Sequence, residues 1–269
     1  MRTHFLFSIG LVLIAGRLAA QDQANLRHFS VDLTQREALV FAPSKAKMEK
    51  TPLVFVFHGH GGTMKNASSA FHLHTLWPEA IVVYPQGLKT PGRLTDPEGN
   101  RSGWQARAGT ENNRDLKFFD KMLQELKSEY QVDENRIYST GHSNGGGFTY
   151  ILWAERSDIF AAMAPSASAR FRELGVLKPK PVLHIAGEGD RLVKYEWQKM
   201  TIETLKTLNK TNSVKDWPKG KYCKIYGSEN GPPVVTLIHP GGHQFNREAP
   251  AAIAAFFKEY SKIKNLEIR

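Results

Sequence analysis

Cysteine is almost absent: Cys223 is the only one in 269 residues, so no disulfide can form within the chain. One thiolate cannot build a metal site alone, and Cys223 reads as a buried thiol in a strand. Long apolar runs are also missing. The run near the start, Phe5 to Ala15, is too short to span a bilayer comfortably. The net charge of +10 comes without an arginine-rich tract or a nucleic-acid motif, which argues against nucleic acid as a partner. Scattered lysines and arginines fit solubility and a weak attraction for acidic surfaces, anionic polysaccharide among them. No internal repeat and no linker divides the chain. With 41% hydrophobic residues it can bury one large core, and residues 21–269 are expected to form one domain.

The leading residues, "MRTHFLFSIGLVLIAGRLAA", join a basic start to an apolar run and small residues at Ala19 and Ala20. That layout predicts a secretory signal peptide, residues 1–20, cut near Ala20; an uncleaved anchor is the alternative. The mature protein would be secreted or periplasmic, with no stable membrane association. Its charge drops from +10 to +8 when Arg2 and Arg17 leave.

Beyond the leader, "HFSVDLTQREALVFAP" reads as two short strands, and "PLVFVF" (Pro52 to Phe57) as a strand buried on both faces. A helix around Asn66 to Trp77 precedes a second buried strand, "AIVVYP". Residues 86–112 are dense in Gly, Pro, Asp and Asn and read as a long functional loop. A helix follows, capped by Asn113 or Asp115, with Leu116, Phe119, Leu123 and Leu126 at helical spacing. Further strands are "RIYST", "FAAMAPSAS", "PVLHIAG", "KYCKIYG" and "PPVVTLIH". Helices are expected over "GFTYILWAERS", from Tyr195 to Leu208, and over "APAAIAAFFKEYSKI". Strands alternating with helices predict an α/β fold, a mostly parallel sheet with helices on both faces and its site beyond the strand carboxyl ends.

Gly141-His142-Ser143-Asn144-Gly145 fits G-x-S-x-G, directly after a strand and before a helix, as a nucleophile elbow requires. A serine hydroxyl needs a base, and the base an orienting acid. In α/β-hydrolases these follow in the order Ser, acid, His. Asp190 after "VLHIAGEG" and His243 after "VVTLIHPGG" both fall at strand carboxyl ends. Glu188 is the rival acid; His184 and His239 sit in apolar strand text and read as core. The backbone N–H of Asn144 would be one oxyanion donor. The second would come from "HGHGG", with His60 preferred over Gly61. Two H-x-H pairs, His58/His60 and His72/His74, invite a metal reading. No H-E-x-x-H accompanies them, and an alternating pair splits its side chains, so no metal is expected.

Taken together, "TPLVFVFHGHGG", "AIVVYPQG", "RIYSTGHSNGGGFTY", "GEGDRLVKY" and "PGGHQF" resemble, in that order, the secreted esterases grouped with polyhydroxybutyrate depolymerases and feruloyl or acetylxylan esterases. The resemblance covers roughly residues 30 to 260. It implies an α/β-hydrolase fold, ester hydrolysis without a cofactor, a triad on Ser143, Asp190 and His243, and an oxyanion hole at His60 and Asn144. The chain departs from the family in lacking disulfides, in "RLVKY" after the acid, and in "QFN" after the histidine. The substrate expected is a feruloyl or acetyl ester of plant polysaccharide, with short-chain polyester as the alternative. Trp104 in the long loop would stack on a phenolic or sugar ring, or else pin the loop. Arg93, Arg101 and Arg107 would hold acidic sugars, though solvated charge is the better reading. A peptidase of the same fold and a non-catalytic carbohydrate-binding protein are the rival classes. The first usually needs a gating domain, and the second has no need of a complete triad.

Overall fold

A computed structural model of the chain describes residues 24–169 and 176–263. The expected leader, residues 1–20, lies outside them. In chain order the elements are β1 (Asn25–Val31), β2 (Thr34–Phe41), β3 (Thr51–Phe57), α1 (Met64–Phe71), α2 (Leu73–Leu76), β4 (Ile81–Pro85), β5 (Leu88–Lys89), β6 (Ser102–Gly103), α3 (Arg114–Glu129), β7 (Val132–His142), α4 (Asn144–Glu155), β8 (Ala162–Ser166), β9 (Val182–Gly187), α5 (Tyr195–Leu208), β10 (Ser213–Asp216), β11 (Cys223–Gly227), β12 (Val234–His239) and α6 (Ala249–Glu259). Ten strands form one sheet in the order β1-β2-β4-β3-β7-β8-β9-β12-β11-β10, and β5 pairs only with β6. From β4 to β12 every pairing is parallel. The flanks on both sides are antiparallel.

The composition of β3 explains the layering. All seven of its residues are buried, and they alternate between two cores. Leu53, Phe55 and Phe57 meet the layer of α3 and α4, while Val54 and Val56 meet that of α1, α2 and α6. A strand that contacts helices on both faces has no solvent side and needs no polar alternation. Helix α4 is buried along most of its length and correspondingly apolar all round.

Three expectations change. The helix around Asn66 to Trp77 is two helices, because His72 adopts a left-handed φ of 34° between them. Its start falls earlier, where Thr63 accepts from the Asn66 N–H at 3.1 Å. The loop over residues 86–112 contains the β5–β6 pair and a Gly92–Asp96 bridge, so part of it is sheet. Strand β10 was not expected: all four of its residues are exposed on the sheet edge and carry no burial pattern.

A buried ion pair fastens β2 to α3. Arg36 Nη2 donates to Asp115 Oδ1 at 2.9 Å and to the Gln86 carbonyl at 3.2 Å, with the guanidinium 4.1 Å from the Phe118 ring centre. Asp115 Oδ2 accepts the Gln105 N–H at 2.7 Å, which ties the long loop to the same pair. Removing one partner strands a buried charge. Asp115→Ala is expected to destabilise the fold by about 3–5 kcal/mol in urea unfolding, and a loss below about 1 kcal/mol would show the pair to be dispensable.

Candidate active site

Ser143 follows β7 and opens α4 with φ 56° and ψ −116°, a conformation that side-chain-bearing residues rarely adopt. The glycines around it permit the turn by close approach. A Cβ on Gly141 would stand 2.5 Å from the Gly145 carbonyl, and one on Gly145 would stand 2.2 Å from the Phe57 carbonyl oxygen. The Ser143 N–H donates to the Ser166 carbonyl at 2.8 Å, locking the turn to β8. The hydroxyl is thereby lifted above the carboxyl edge of the sheet.

The loops after β9 and β12 meet it there. Gly187 ends β9 three residues before Asp190, and His239 ends β12 four residues before His243. Backbone bonds from Glu188 N–H to the His239 carbonyl (2.8 Å) and from Gly189 N–H to the Gly241 carbonyl (3.0 Å) hold the two loops together. His243 Nε2 lies 2.8 Å from Ser143 Oγ, and His243 Nδ1 lies 2.8 Å from Asp190 Oδ2. Asp190 is buried, and its Oδ1 accepts the N–H groups of Leu192 and Val193, both at 2.9 Å. With Nδ1 set against Asp190, Nε2 is the ring nitrogen turned to the serine hydroxyl. The rival Glu188 is exposed, and His184 and His239 are buried.

In "HGHGG", Gly61 N–H donates to the Ser102 carbonyl at 2.7 Å and is thereby engaged. The N–H groups of His60 and Asn144 hydrogen-bond to nothing among the described residues. The His60 ring is pinned at both nitrogens, Nε2 against the Thr90 carbonyl at 2.8 Å and Nδ1 against Thr95 Oγ1 at 3.0 Å. Gly59 packs on the elbow: a Cβ there would lie 3.6 Å from that of Ser143.

Trp104 does not offer its ring to a ligand. It is fully buried, donates Nε1–H to the His58 carbonyl at 2.9 Å, and packs against Phe57 and Phe148. Its backbone exchanges two bonds with the Asn144 side chain, N–H to Oδ1 at 2.7 Å and carbonyl from Nδ2 at 3.1 Å. The expected stacking role is withdrawn in favour of the pin: an indole packed among core aromatics cannot also face solvent. Trp104→Ala is expected to destabilise by about 3–5 kcal/mol in urea unfolding. A stable variant with raised KM alone would restore the stacking role.

Residues 101–172, which include Ser143, match the prolyl oligopeptidase family. A bifunctional acetylxylan esterase/xylanase of Neocallimastix patriciarum is 27% identical over 60% of this chain and 22% of its own length. Feruloyl esterase B of Piromyces equi is 27% identical over 77% of this chain and 42% of its own. The chain thus spans less than half the length of these two relatives. Among solved structures, an acetyl xylan esterase from Aspergillus awamori superposes with TM-score 0.65 at 13% identity, covering 87% of this chain and 99% of that one. The fold is the α/β-hydrolase fold.

In this fold the residue missed from sequence is Gln198, whose Nε2 donates to Asp190 Oδ2 at 3.0 Å. The available signal was a glutamine on the inner stripe of α5 with Thr201, Ile202 and Leu205. No cluster of metal-binding side chains occurs among the described residues. His58 and His60 are instead bound to loop backbone, and the His74 ring stacks on Phe41.

Burial lowers the pKa of His142 to about 3 and those of His58 and His184 to about 4. All three therefore stay neutral in the fold at neutral pH. When unfolded, each takes up a proton below its ordinary 6.5, so stability falls as pH drops from about 6.5 to 4, and below that this contribution is spent. Urea unfolding is expected to show this fall. His184→Gln, which cannot protonate, should lose about 2 kcal/mol less than the native chain between pH 7 and pH 5. Equal losses would count against the shift.

Proposed function

We propose that this chain is a serine carboxylic-ester hydrolase that works through an acyl-enzyme, with Ser143 as nucleophile, His243 as base and Asp190 as its orienting acid. The observation that carries the reading is the unbroken contact from buried Asp190 through both nitrogens of His243 to Ser143 Oγ. His243 Nε2 takes the hydroxyl proton as Oγ attacks the ester carbonyl, and Asp190 stabilises the imidazolium formed. The N–H groups of His60 and Asn144 receive the oxyanion; a donor of this kind typically contributes about 3–4 kcal/mol in the transition state. The alcohol departs with the proton from His243. Water then repeats the sequence on the acyl-enzyme and releases the acid.

The substrate class proposed is a feruloyl or acetyl ester of plant polysaccharide, acted on outside the cell by residues 21–269 as one catalytic unit after loss of the leader. Similarity to acetylxylan and feruloyl esterases supports it. So does an aromatic wall beside the histidine: Phe245 stacks on Phe71 at 4.1 Å and meets the His142 ring, itself 5.2 Å from that of His243. The prolyl oligopeptidase match over residues 101–172 favours a second reading, acyl transfer from an amide.

The test sets the native chain beside Ser143→Ala with p-nitrophenyl acetate, methyl ferulate and a peptide p-nitroanilide. Turnover of both esters is expected, with kcat at least about a thousandfold lower in the variant. Acetate turnover alone would move the substrate toward acetyl esters or short polyesters, and anilide turnover toward peptides. Equal rates in the two proteins, or none in either, would end the triad reading and favour a binding protein.

A further inference from the structure

Behind Asp190 the fold buries polar groups that packing alone does not require. Gln198 is fully buried on the inner face of α5. Its Nε2 donates to Asp190 Oδ2 at 3.0 Å and to the Val193 carbonyl at 2.7 Å. Both partners are acceptors, which fixes the amide: turned over, its oxygen would meet a carboxylate and a carbonyl. Oε1 therefore points away from Asp190. His184 Nδ1 lies 2.7 Å from the Tyr150 hydroxyl of α4.

This chain is incompletely satisfied. Among the described residues no hydrogen bond reaches Gln198 Oε1 or His184 Nε2, and none reaches the hydroxyl of Thr236, paired with His184 in the β9–β12 register. Such groups weaken a fold. An apolar residue at 198 would share its stripe with Ile202 and Leu205 without that penalty.

We propose that Gln198 is a positioning residue for the Asp190–His243 pair, its amide holding Oδ2 in line with the His243 Nδ1–H while the Val193 carbonyl holds the same amide nitrogen. The inference rests on the triad reading of Ser143, His243 and Asp190. The two carboxylate oxygens are held differently. Oδ1 is anchored by two backbone N–H groups of its own turn, whereas Oδ2 has only the Gln198 amide besides the histidine. Without that amide the negative charge of Oδ2 falls on His243 alone, which favours the protonated ring and loosens its aim at Ser143. The other ionisable groups near the carboxylate are His142, His239 and Glu188, and changes at 198 leave them in place.

The experiment compares the native chain, Ser143→Ala, Gln198→Met and Gln198→Glu on p-nitrophenyl acetate, with active enzyme counted by fluorophosphonate labelling. Methionine keeps the length of glutamine and removes both donors. It is expected to lower kcat by about 10–100-fold, keep KM within about twofold, and move the acidic limb of the kcat/KM profile to higher pH. Glutamate sets a second anion beside Oδ2 and should move that limb further the same way. Thermal unfolding reports folding independently. If neither variant folds, Gln198→Asn, which keeps the amide on a side chain one methylene shorter, is expected to shift the same limb by less. Rates or KM changed with the acidic limb unmoved would overturn the inference and mark Gln198 as structural. Native kinetics in the folded variants would overturn it too, with Ser143-dependent hydrolysis still standing. A native chain without Ser143-dependent turnover would remove the triad reading and this inference with it.

Discussion

The backbone of Ser143 is held where its own preferences would not put it, and much of the surrounding architecture sustains that one conformation. A residue with a side chain at φ 56° and ψ −116° carries strain of about 1–3 kcal/mol. The turn cannot relax because both of its ends are fixed. β7 is paired on both sides, with β3 and β8, and α4 buries Phe148, Tyr150, Ile151, Leu152 and Trp153 completely. Full burial of one such side chain contributes about 1.5–3 kcal/mol. The helix therefore outweighs the strain several times over, and the serine is raised at small cost to the fold.

Electrostatic simplicity is the second consequence of depth. The histidines nearest the elbow and the acid, His58, His142, His184 and His239, are all shifted toward the neutral form by burial. Backbone groups of defined role face the ring nitrogens of His58 and His239 and fix their tautomers. His58, for example, sits between the Gly59 carbonyl and the Gly87 N–H. Among the described residues Asp190 is then the one carboxyl group that His243 contacts. A protein with net charge +10 thus places at this site a buried carboxyl group among rings that burial shifts toward the neutral form.

What could be read from sequence follows from which contacts are local. The strand text of β3 declares burial on both faces, and G-x-S-x-G between strand and helix declares the turn, because both are consequences of neighbours a few residues apart. The order of Ser143, Asp190 and His243 is legible for a related reason: each stands just past an apolar strand. His72 is different. Its left-handed break divides a stretch whose helical spacing continues across it. β10 has no apolar face to announce it and exists through pairing with β11. Gln198 and Trp104 are the instructive cases. Glutamine on a helix stripe looks like tolerated polarity until the acid eight residues earlier is found to need a donor. Tryptophan in a Gly- and Pro-rich loop looks exposed until the loop is seen to fold its indole under the elbow.

The loop over residues 86–112 shows what such a segment does when it is stitched down. His60 holds Thr90 and Thr95, Gly61 holds Ser102, Asn144 holds the backbone of Trp104, and Asp115 holds Gln105. Every one of these attachments joins the loop to the "HGHGG" turn, to the elbow, or to the helix that anchors β2. The side chain of Asn144 is consumed in this way, while its backbone N–H hydrogen-bonds to nothing among the described residues. The same logic sorts the loop by depth. Its Trp104 end belongs to the scaffold, while Arg93, Leu94 and Arg101 stay exposed at its tip. Arg101 lies against Gly61 of the "HGHGG" turn. The buried end of the loop, tied to the elbow through Asn144, is thus committed to holding Ser143 and its neighbours still.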